Sequence, residues 1–146
     1  MLRGNAPAKI DDRGRLKVPA AFRAAIQQAH GRDLYVTSLT GDSVRVYPMP
    51  VWLEIEHKVA QMPSTHPARM KFLDRVNFYG QIAELDPQGR VLIHPRLRDS
   101  AHMTGEVDVL GHHDFLEVWN HERFLARLLG EPFTNDDMKA LSDYGI

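Results

Sequence analysis

The stretch Ile10-Asp11-Asp12-Arg13-Gly14-Arg15-Leu16-Lys17-Val18-Pro19 determines the architecture, because the chain repeats it 75 residues later. The second copy is Leu85-Asp86-Pro87-Gln88-Gly89-Arg90-Val91-Leu92-Ile93-His94-Pro95, with one extra residue before its proline. In both copies an aspartate precedes a glycine by three positions, which is the preference of a type I β-turn. Alternating residues flank both turns. The pattern therefore predicts two β-hairpins, one around 7–11 and 15–18 and one around 82–86 and 90–93.

The similarity between the two copies continues beyond the turns. Arg23 and Arg98 restore the register, residues 34–37 correspond to 107–110, and residues 43–47 correspond to 115–119. Each copy then predicts a hairpin, a short helix and a second hairpin over roughly 45 residues, which is too small to fold alone. We therefore expect the copies to pack against each other in one body with pseudo-two-fold symmetry.

Helical spacing of apolar residues predicts two helices between the copies, over 51–62 and 69–78, and a final helix near 121–129. The tail from residue 131 is acidic and only weakly periodic. The expected fold class is α+β, mainly β: a double-hairpin barrel built from two internal repeats, with added helices. The expected divisions are a first repeat over 5–52, a helical connector over 53–79, a second repeat over 80–124, and a terminal helix with the acidic tail over 125–146.

The formal net charge of −1 argues against a nucleic-acid binder only if the charges are evenly spread. Residues 1–74 carry 11 basic and 7 acidic side chains, whereas residues 75–146 carry 7 basic and 12 acidic ones. The first 23 residues alone hold six basic and two acidic side chains. The net charge therefore does not exclude a nucleic-acid partner, and the positive charge is concentrated around the first hairpin.

The first hairpin predicts a basic tip. Arg15 and Lys17 alternate with Leu16 and Val18, so the two cations point away from the core, and Arg13 lies in the turn. A β-ribbon is narrow enough for the major groove of DNA, where arginine can donate to guanine. The candidate DNA-binding residues are Arg15, Arg13, Lys17, Arg90, Arg3 and Lys9. The residues with a structural role in the turns are Asp11, Gly14, Asp86 and Gly89.

The second copy keeps the geometry of this tip but not its charge. Glu84, Gln88 and Leu92 replace Lys9, Arg13 and Lys17, so that Arg90 is the shared cation. The first copy is therefore expected to dominate the affinity.

A purely structural interpretation of the two arginines is also open. Asp11 with Arg15, and Asp86 with Arg90, could pair across each turn and act only as a signature of the fold.

Several other classes of function lack support in the sequence. The chain has no Cys, which excludes disulfides, thiol nucleophiles and Cys-ligated metals. No apolar run approaches the ~20 residues that span a bilayer, and the first residues lack the apolar segment of a signal peptide. The densest histidine cluster, His112-His113-Asp114 with His121, places adjacent side chains on opposite faces of a strand. We expect neither an enzyme nor a metal, cofactor, membrane or small-molecule substrate.

With these residues in view, the chain resembles the MraZ family of bacterial transcriptional regulators. The resemblance rests on Asp11-x-x-x-Arg15 and Asp86-x-x-x-Arg90, on the stretch from Tyr47 to Trp52, and on the strand from Phe115 to Trp119. It implies an AbrB-like swapped-hairpin barrel and a homo-oligomeric ring. It also implies binding to short direct repeats of double-stranded DNA in the promoter of the division and cell-wall gene cluster, in the cytoplasm at the nucleoid.

The family presents its Asp-x-x-x-Arg loop to DNA, so the resemblance carries this role to Arg15 and Arg90, with Arg13 and Lys17 as neighbours. The alternative function is an AbrB-like interaction module, or an antitoxin-type regulator, whose main partner is a protein. In that case Trp52 or the terminal helix would supply a contact surface, although core or subunit packing is the simpler interpretation of Trp52 and Phe124.

Overall fold

The structure, a computed structural model, describes all 146 residues and follows the predicted order of elements twice. The strands are β1 (Asn5–Ile10), β2 (Arg15–Lys17), β3 (Asp33–Thr37), β4 (Val44–Pro48), β5 (Gln81–Glu84), β6 (Arg90–Leu92), β7 (Gly105–His112) and β8 (Phe115–Asn120). The helices are α1 (Ala20–His30), α2 (Met49–Ala60), α3 (Pro67–Phe78), α4 (Pro95–Ser100), α5 (His121–Gly130) and α6 (Asn135–Ser142).

The eight strands form one antiparallel sheet in the order β5-β3-β4-β8-β7-β1-β2-β6. The two outermost strands, β5 and β6, are joined by the second turn, where the Asp86 N–H donates to the Arg90 carbonyl oxygen at 2.9 Å. The sheet therefore curls into a nearly closed barrel with helices around it. This confirms the expected α+β, mainly β, fold class.

The two copies are interleaved rather than side by side. Strand β1 pairs with β7 of the other copy over six residues, from Asn5 opposite Leu110 to Ile10 opposite Gly105. It meets β2 only where Ile10 lies opposite Leu16. In the same way β5 pairs with β3 of the first copy.

The turns form where the sequence predicts them, but the expected pairing within each hairpin is wrong over most of β1 and β5. Strands β2 and β6 have three residues each and pair with each other, so they cannot satisfy the backbone groups of the longer strands. Those groups find partners in the other copy. The interleaving agrees with the expectation that the two copies form one body, because each supplies strand partners to the other.

One core fills the barrel with residues from both copies. Leu16 and Val91 lie opposite each other in β2 and β6 at the pseudo-two-fold axis, and both are buried. They belong to a cluster of 19 buried apolar residues. Because the inward positions of β2 and β6 are fixed by this core, the alternate residues of the same strands must face solvent.

Helices α2 and α3 cover the outside of the barrel next to β3 and β4. Trp52 is 3% exposed and stacks on Tyr35 with 4.6 Å between ring centroids. The Tyr35 hydroxyl donates to the Val76 carbonyl oxygen at 2.9 Å, which ties β3 to α3. Trp52 is therefore a core residue, as the simpler interpretation of the sequence holds.

The C-terminal segment contains a helix that the periodicity of the sequence does not predict. Thr134 caps α6: its hydroxyl accepts from the Asp137 N–H at 3.1 Å, and the Asp137 carboxylate accepts from the Thr134 N–H at 2.8 Å. This reciprocal cap is a sequence signal that spacing of apolar residues overlooks. Helix α5 begins at His121, within the residues assigned to the second repeat, and neither α5 nor α6 has a buried residue. No helix has the length and apolarity needed to cross a membrane.

Candidate nucleic-acid interface

The first turn is organised by the Asp11 carboxylate. Its Oδ1 atom accepts from the backbone N–H groups of Arg13 at 3.0 Å and of Arg15 at 2.9 Å. The Gly14 N–H donates to the Asp11 carbonyl oxygen at 3.0 Å, and Gly14 has a φ of +78°, which favours glycine. The turn is therefore held by its own backbone and by one side chain.

The Arg15 guanidinium completes this arrangement with a direct bond to the same aspartate. Its Nε atom donates to Asp11 Oδ2 at 2.8 Å, and the side chain keeps 27% of its surface exposed. Backbone hydrogen bonding from Arg15, together with its guanidinium, holds the pKa of Asp11 below its ordinary value. The cross-turn pair considered above thus exists, but it uses only Nε, and the two terminal nitrogens have no protein partner. Pairing with Asp11 orients Arg15 without occupying the edge with which arginine binds bases and phosphates.

The second turn repeats this geometry. Asp86 Oδ1 accepts from the N–H groups of Gln88 at 2.9 Å and Arg90 at 2.8 Å, and Arg90 Nε donates to Asp86 Oδ2 at 2.8 Å. Backbone hydrogen bonding from Arg90 likewise lowers the pKa of Asp86. One of the terminal nitrogens of Arg90 makes a long contact of 3.4 Å with the Gln88 amide oxygen.

Pairing of β2 with β6 brings the candidate cations of both copies onto one face. Arg15 lies opposite Leu92, and Lys17 lies opposite Arg90, while Leu16 and Val91 face the core. Like charges directly opposite each other, as in Lys17 and Arg90, destabilise a strand pair. Because this face keeps two adjacent positive charges despite that cost, it is suited to bind an anionic partner.

Two further arginines lie over the turns, each contributed by the opposite copy. Arg23, on α1, covers Gly89 and donates from Nη1 to the Gln88 carbonyl oxygen at 3.0 Å. Arg98, on α4, covers Gly14 in the equivalent way. A Cβ atom at either glycine would overlap the guanidinium. Two backbone hydrogen bonds also join the copies here. The Val18 N–H donates to the Gly89 carbonyl oxygen at 3.0 Å, and the Ile93 N–H donates to the Gly14 carbonyl oxygen at 2.9 Å.

In the sequence, Arg23 and Arg98 align the two copies, but neither is predicted to contact DNA. Both lie eight positions after the arginine of their own turn, at Arg15 and Arg90. That shared spacing is the signal that could have assigned them. We call the face formed by Arg13, Arg15, Lys17, Arg23, Arg90 and Arg98 the two-turn face.

The interleaving changes which charges surround which turn. Lys17 and Arg23 belong to the first copy, yet they flank the turn of the second copy through Arg90 and Gln88. Lys9, Lys17 and Arg23 also line one surface groove of about 470 Å³. The expectation that the first copy dominates binding therefore loses its geometric basis, because its cations serve both turns.

The remaining candidates lie in different places. Arg13 is exposed at the tip of the first turn, and Lys9 is exposed on β1 opposite Glu106 of β7. Arg3 lies beside Gly111 at the other end of β1, which is about 20 Å long at its six residues. The structure therefore groups the other five predicted DNA-binding residues near the turns and separates Arg3 from them.

The histidines of the C-terminal half have separate neighbours. His112 stacks on Phe115 with 5.2 Å between centroids, and the His121 Nδ1 lies 2.7 Å from Asp108 Oδ2. No three His, Asp or Glu side chains are arranged to hold a metal ion.

A double-hairpin barrel with a pair of Asp-x-x-x-Arg turns on one face defines the class of protein to which known sequences can be compared. The family model described as "MraZ protein, putative antitoxin-like" matches residues 1–75 and 81–143. A protein of Acidobacterium capsulatum named "Transcriptional regulator MraZ" is 46% identical over 146 residues, covering 100% of both chains. The protein of the same name in Koribacter versatilis is 47% identical over 147 residues, again covering 100% of both chains. The one from Herpetosiphon aurantiacus is 35% identical, covering 99% of this chain and 96% of its own.

The chain belongs to the MraZ family of transcriptional regulators. This confirms the resemblance drawn from the two Asp-x-x-x-Arg motifs. The relatives are named for regulation and not for a reaction, in agreement with the expectation that the protein is not an enzyme.

Proposed function

We propose that the two-turn face binds double-stranded DNA in a sequence-specific way. The observation that carries the proposal is the set of six cations gathered from both copies around two hydrogen-bonded turns. Arg15 and Arg90 are oriented by Nε bonds to Asp11 and Asp86, and neither donates a terminal nitrogen to its aspartate. Guanidinium groups held in this way suit the O6 and N7 acceptors of guanine in the major groove.

The other cations fit contacts to phosphate. Lys17 and Lys9 are compact charges on flexible stems at the rim of the groove beside the second turn. Arg3, at the far end of β1, would reach only DNA that extends beyond the turns. Contacts to phosphate position the protein, whereas Arg15, Arg90 and Arg13 supply the specificity.

We further propose that the protein acts as a homo-oligomeric ring on short direct repeats in the promoter of the division and cell-wall gene cluster, in the cytoplasm at the nucleoid. The family resemblance supports this target. A surface for self-association is available, because α5 and the segment after it expose several large apolar side chains, namely Leu125, Leu128, Leu129 and Phe133.

A ring accounts for DNA binding by a protein with a net charge of −1. Each protomer offers few phosphate contacts, so one DNA box binds weakly. Several boxes that engage one ring gain a factor of about 10²–10⁴ through effective concentration. A low net charge also limits nonspecific adhesion to DNA.

The test is a gel-shift and fluorescence-anisotropy titration with the DNA that precedes the protein's own coding region. The multi-box promoter fragment should bind at least about tenfold more tightly than a duplex carrying one of its boxes, at equal salt. A scrambled duplex of equal length serves as the control. Equal affinity for all three duplexes would contradict sequence-specific binding, and equal affinity for one and several boxes would contradict the ring.

The exposed apolar side chains of α5 also favour the alternative function, in which a different protein is the main partner. We assign this surface to a second copy of the chain. Light scattering of the purified protein distinguishes the two, because the ring requires a mass of several protomers and the alternative permits a monomer.

A further inference from the structure

The two-turn face has two-fold symmetry in its backbone but not in its side chains. The pseudo-two-fold axis passes between Leu16 and Val91. Exchange of the copies places Arg15 on Arg90, but it places Lys17 on Leu92. In the paired strands β2 and β6, Arg90 therefore lies opposite Lys17, whereas Arg15 lies opposite Leu92, which is 51% exposed.

The tips of the turns differ in the same sense. Exposed Arg13 of the first turn corresponds to exposed Gln88 of the second, and Asp12 corresponds to Pro87. The first turn thus has three cations, Arg13, Arg15 and Arg98, beside the carboxylates Asp11 and Asp12. The second turn has Lys17, Arg23 and Arg90 beside the single carboxylate Asp86.

These differences have consequences for DNA. An arginine in the major groove prefers guanine, a glutamine prefers adenine, and an apolar side chain contacts the thymine methyl group. The half of the face that carries Arg13 and Leu92 therefore prefers different base pairs from the half that carries Gln88, where Lys17 contacts phosphate. The half of the face with Gln88 and Lys17 also attracts phosphate more strongly, because it carries fewer carboxylates.

We propose that the non-equivalent pairs Arg13/Gln88 and Lys17/Leu92 give each protomer a single orientation on a non-palindromic DNA box. This inference rests on the proposed DNA binding. A face with equivalent halves would bind in both orientations, whereas this one distinguishes them by about tenfold or more, since several contacts change together. Protomers that share one orientation require boxes that repeat in the same direction.

The absence of cysteine allows the orientation to be measured. Two single-cysteine variants, Asp12→Cys and Pro87→Cys, place a thiol at equivalent exposed positions of the two turns. Each is coupled to an iron–EDTA reagent, which cleaves the nearby DNA backbone. The substrate is a duplex with one box, selected from a random-sequence pool by the wild-type protein.

The Asp12→Cys conjugate should cleave on one side of the box and the Pro87→Cys conjugate on the other. Equal cleavage on both sides by either conjugate would overturn the inference. If wild-type protein enriches no duplex from the pool, the proposed DNA binding itself fails, which is a different outcome.

A four-residue exchange tests which side chains set the orientation. Arg13→Gln, Gln88→Arg, Lys17→Leu and Leu92→Lys together should exchange the cleaved sides of the two conjugates. The control exchanges only the arginine and glutamine types, away from the turns, with Arg75→Gln and Gln81→Arg. Both positions are exposed, and this exchange should leave the pattern unchanged. Cleavage sides that stay fixed after the four-residue exchange would overturn the assignment to these residues.

Discussion

The glycine in each turn is required for space as well as for its positive φ. Gly14 and Gly89 leave the space in which Arg98 and Arg23 of the opposite copies lie. Each turn is therefore completed by a guanidinium from the other copy, and the two turns form one surface. We infer that damage to one turn affects the other.

Gly14→Ala should lower the free energy of unfolding by about 1–3 kcal/mol through backbone strain alone. Displacement of Arg98 by the new methyl group should add to this loss. Gly105→Ala is the control, because Gly105 has a φ of +66° but no atom within 4 Å of the position that an alanine methyl group would occupy. Denaturant unfolding of both variants should show the greater loss for Gly14→Ala. The difference should shrink in an Arg98→Ala background. Equal losses in the two variants would contradict a packing role for Arg98.

The elements of the barrel show what local sequence determines and what it leaves open. The Asp-to-Gly spacing gives both turns, and alternation of residues 15–18 gives the outward cations. Local sequence does not determine which strand pairs with β1. Its pairing with β7 depends on residues about a hundred positions away and on the shortness of β2. The two-turn face combines residues of both copies because their strands pair with each other. Local sequence therefore predicts most of the residues of this face but not which of them lie together.

The C-terminal helices show a related limit. Helix α5 is predicted from its apolar spacing. Phe124 packs on Trp119 with 5.5 Å between ring centroids, but Leu125, Leu128 and Leu129 remain exposed in the protomer. We infer that these leucines serve the proposed self-association and not the core. The division of the chain into 5–52, 53–79, 80–124 and 125–146 stays a prediction, and α5 crosses its last boundary.

Leu128→Lys should reduce the oligomeric mass without unfolding the protomer, because Leu128 is 55% exposed on α5. Leu53→Lys is the control, since Leu53 on α2 is 54% exposed. Light scattering together with circular dichroism measures both properties. An unchanged mass for Leu128→Lys, or an equal loss for Leu53→Lys, would contradict the assignment of this surface to self-association.

Helix α5 is also tied to β7 by a pH-dependent contact. The hydrogen bond and charge of Asp108 raise the pKa of His121 above its ordinary value of 6.5. The protonated histidine therefore stabilises the folded state below pH 6.5, and this stabilisation is lost as the pH rises through the raised pKa.

Thermal unfolding between about pH 6 and pH 9 should show a decrease in Tm that His121→Gln removes. His94→Gln, at an exposed histidine, should keep the decrease. A slope that is the same in His121→Gln and in the wild type would show that Asp108 and His121 do not contribute.

For the whole molecule, the distribution of charge matters more for DNA binding than the net charge does. The net charge of −1 combines the six cations of the two-turn face with an excess of acidic side chains elsewhere in residues 75–146. Lys17→Ala should weaken binding to all DNA sequences by a similar factor and reduce the slope of log K against log salt by about 0.9, the value for one lost phosphate contact. Titrations at several salt concentrations measure the slope, and an unchanged slope would place Lys17 away from the phosphates.

The proposed function depends above all on Arg15 and Arg90 contacting DNA, beyond their pairing with Asp11 and Asp86. The decisive measurement is the affinity of Arg15→Ala and Arg90→Ala for the single-box duplex, with thermal unfolding and mass measured on the same samples. Arg75→Ala, at an exposed arginine on α3, is the control. We predict that both turn variants stay folded and oligomeric and lose about tenfold or more in affinity, while Arg75→Ala binds as the wild type does. Folded Arg15→Ala and Arg90→Ala proteins that bind with wild-type affinity would contradict DNA contact by these arginines.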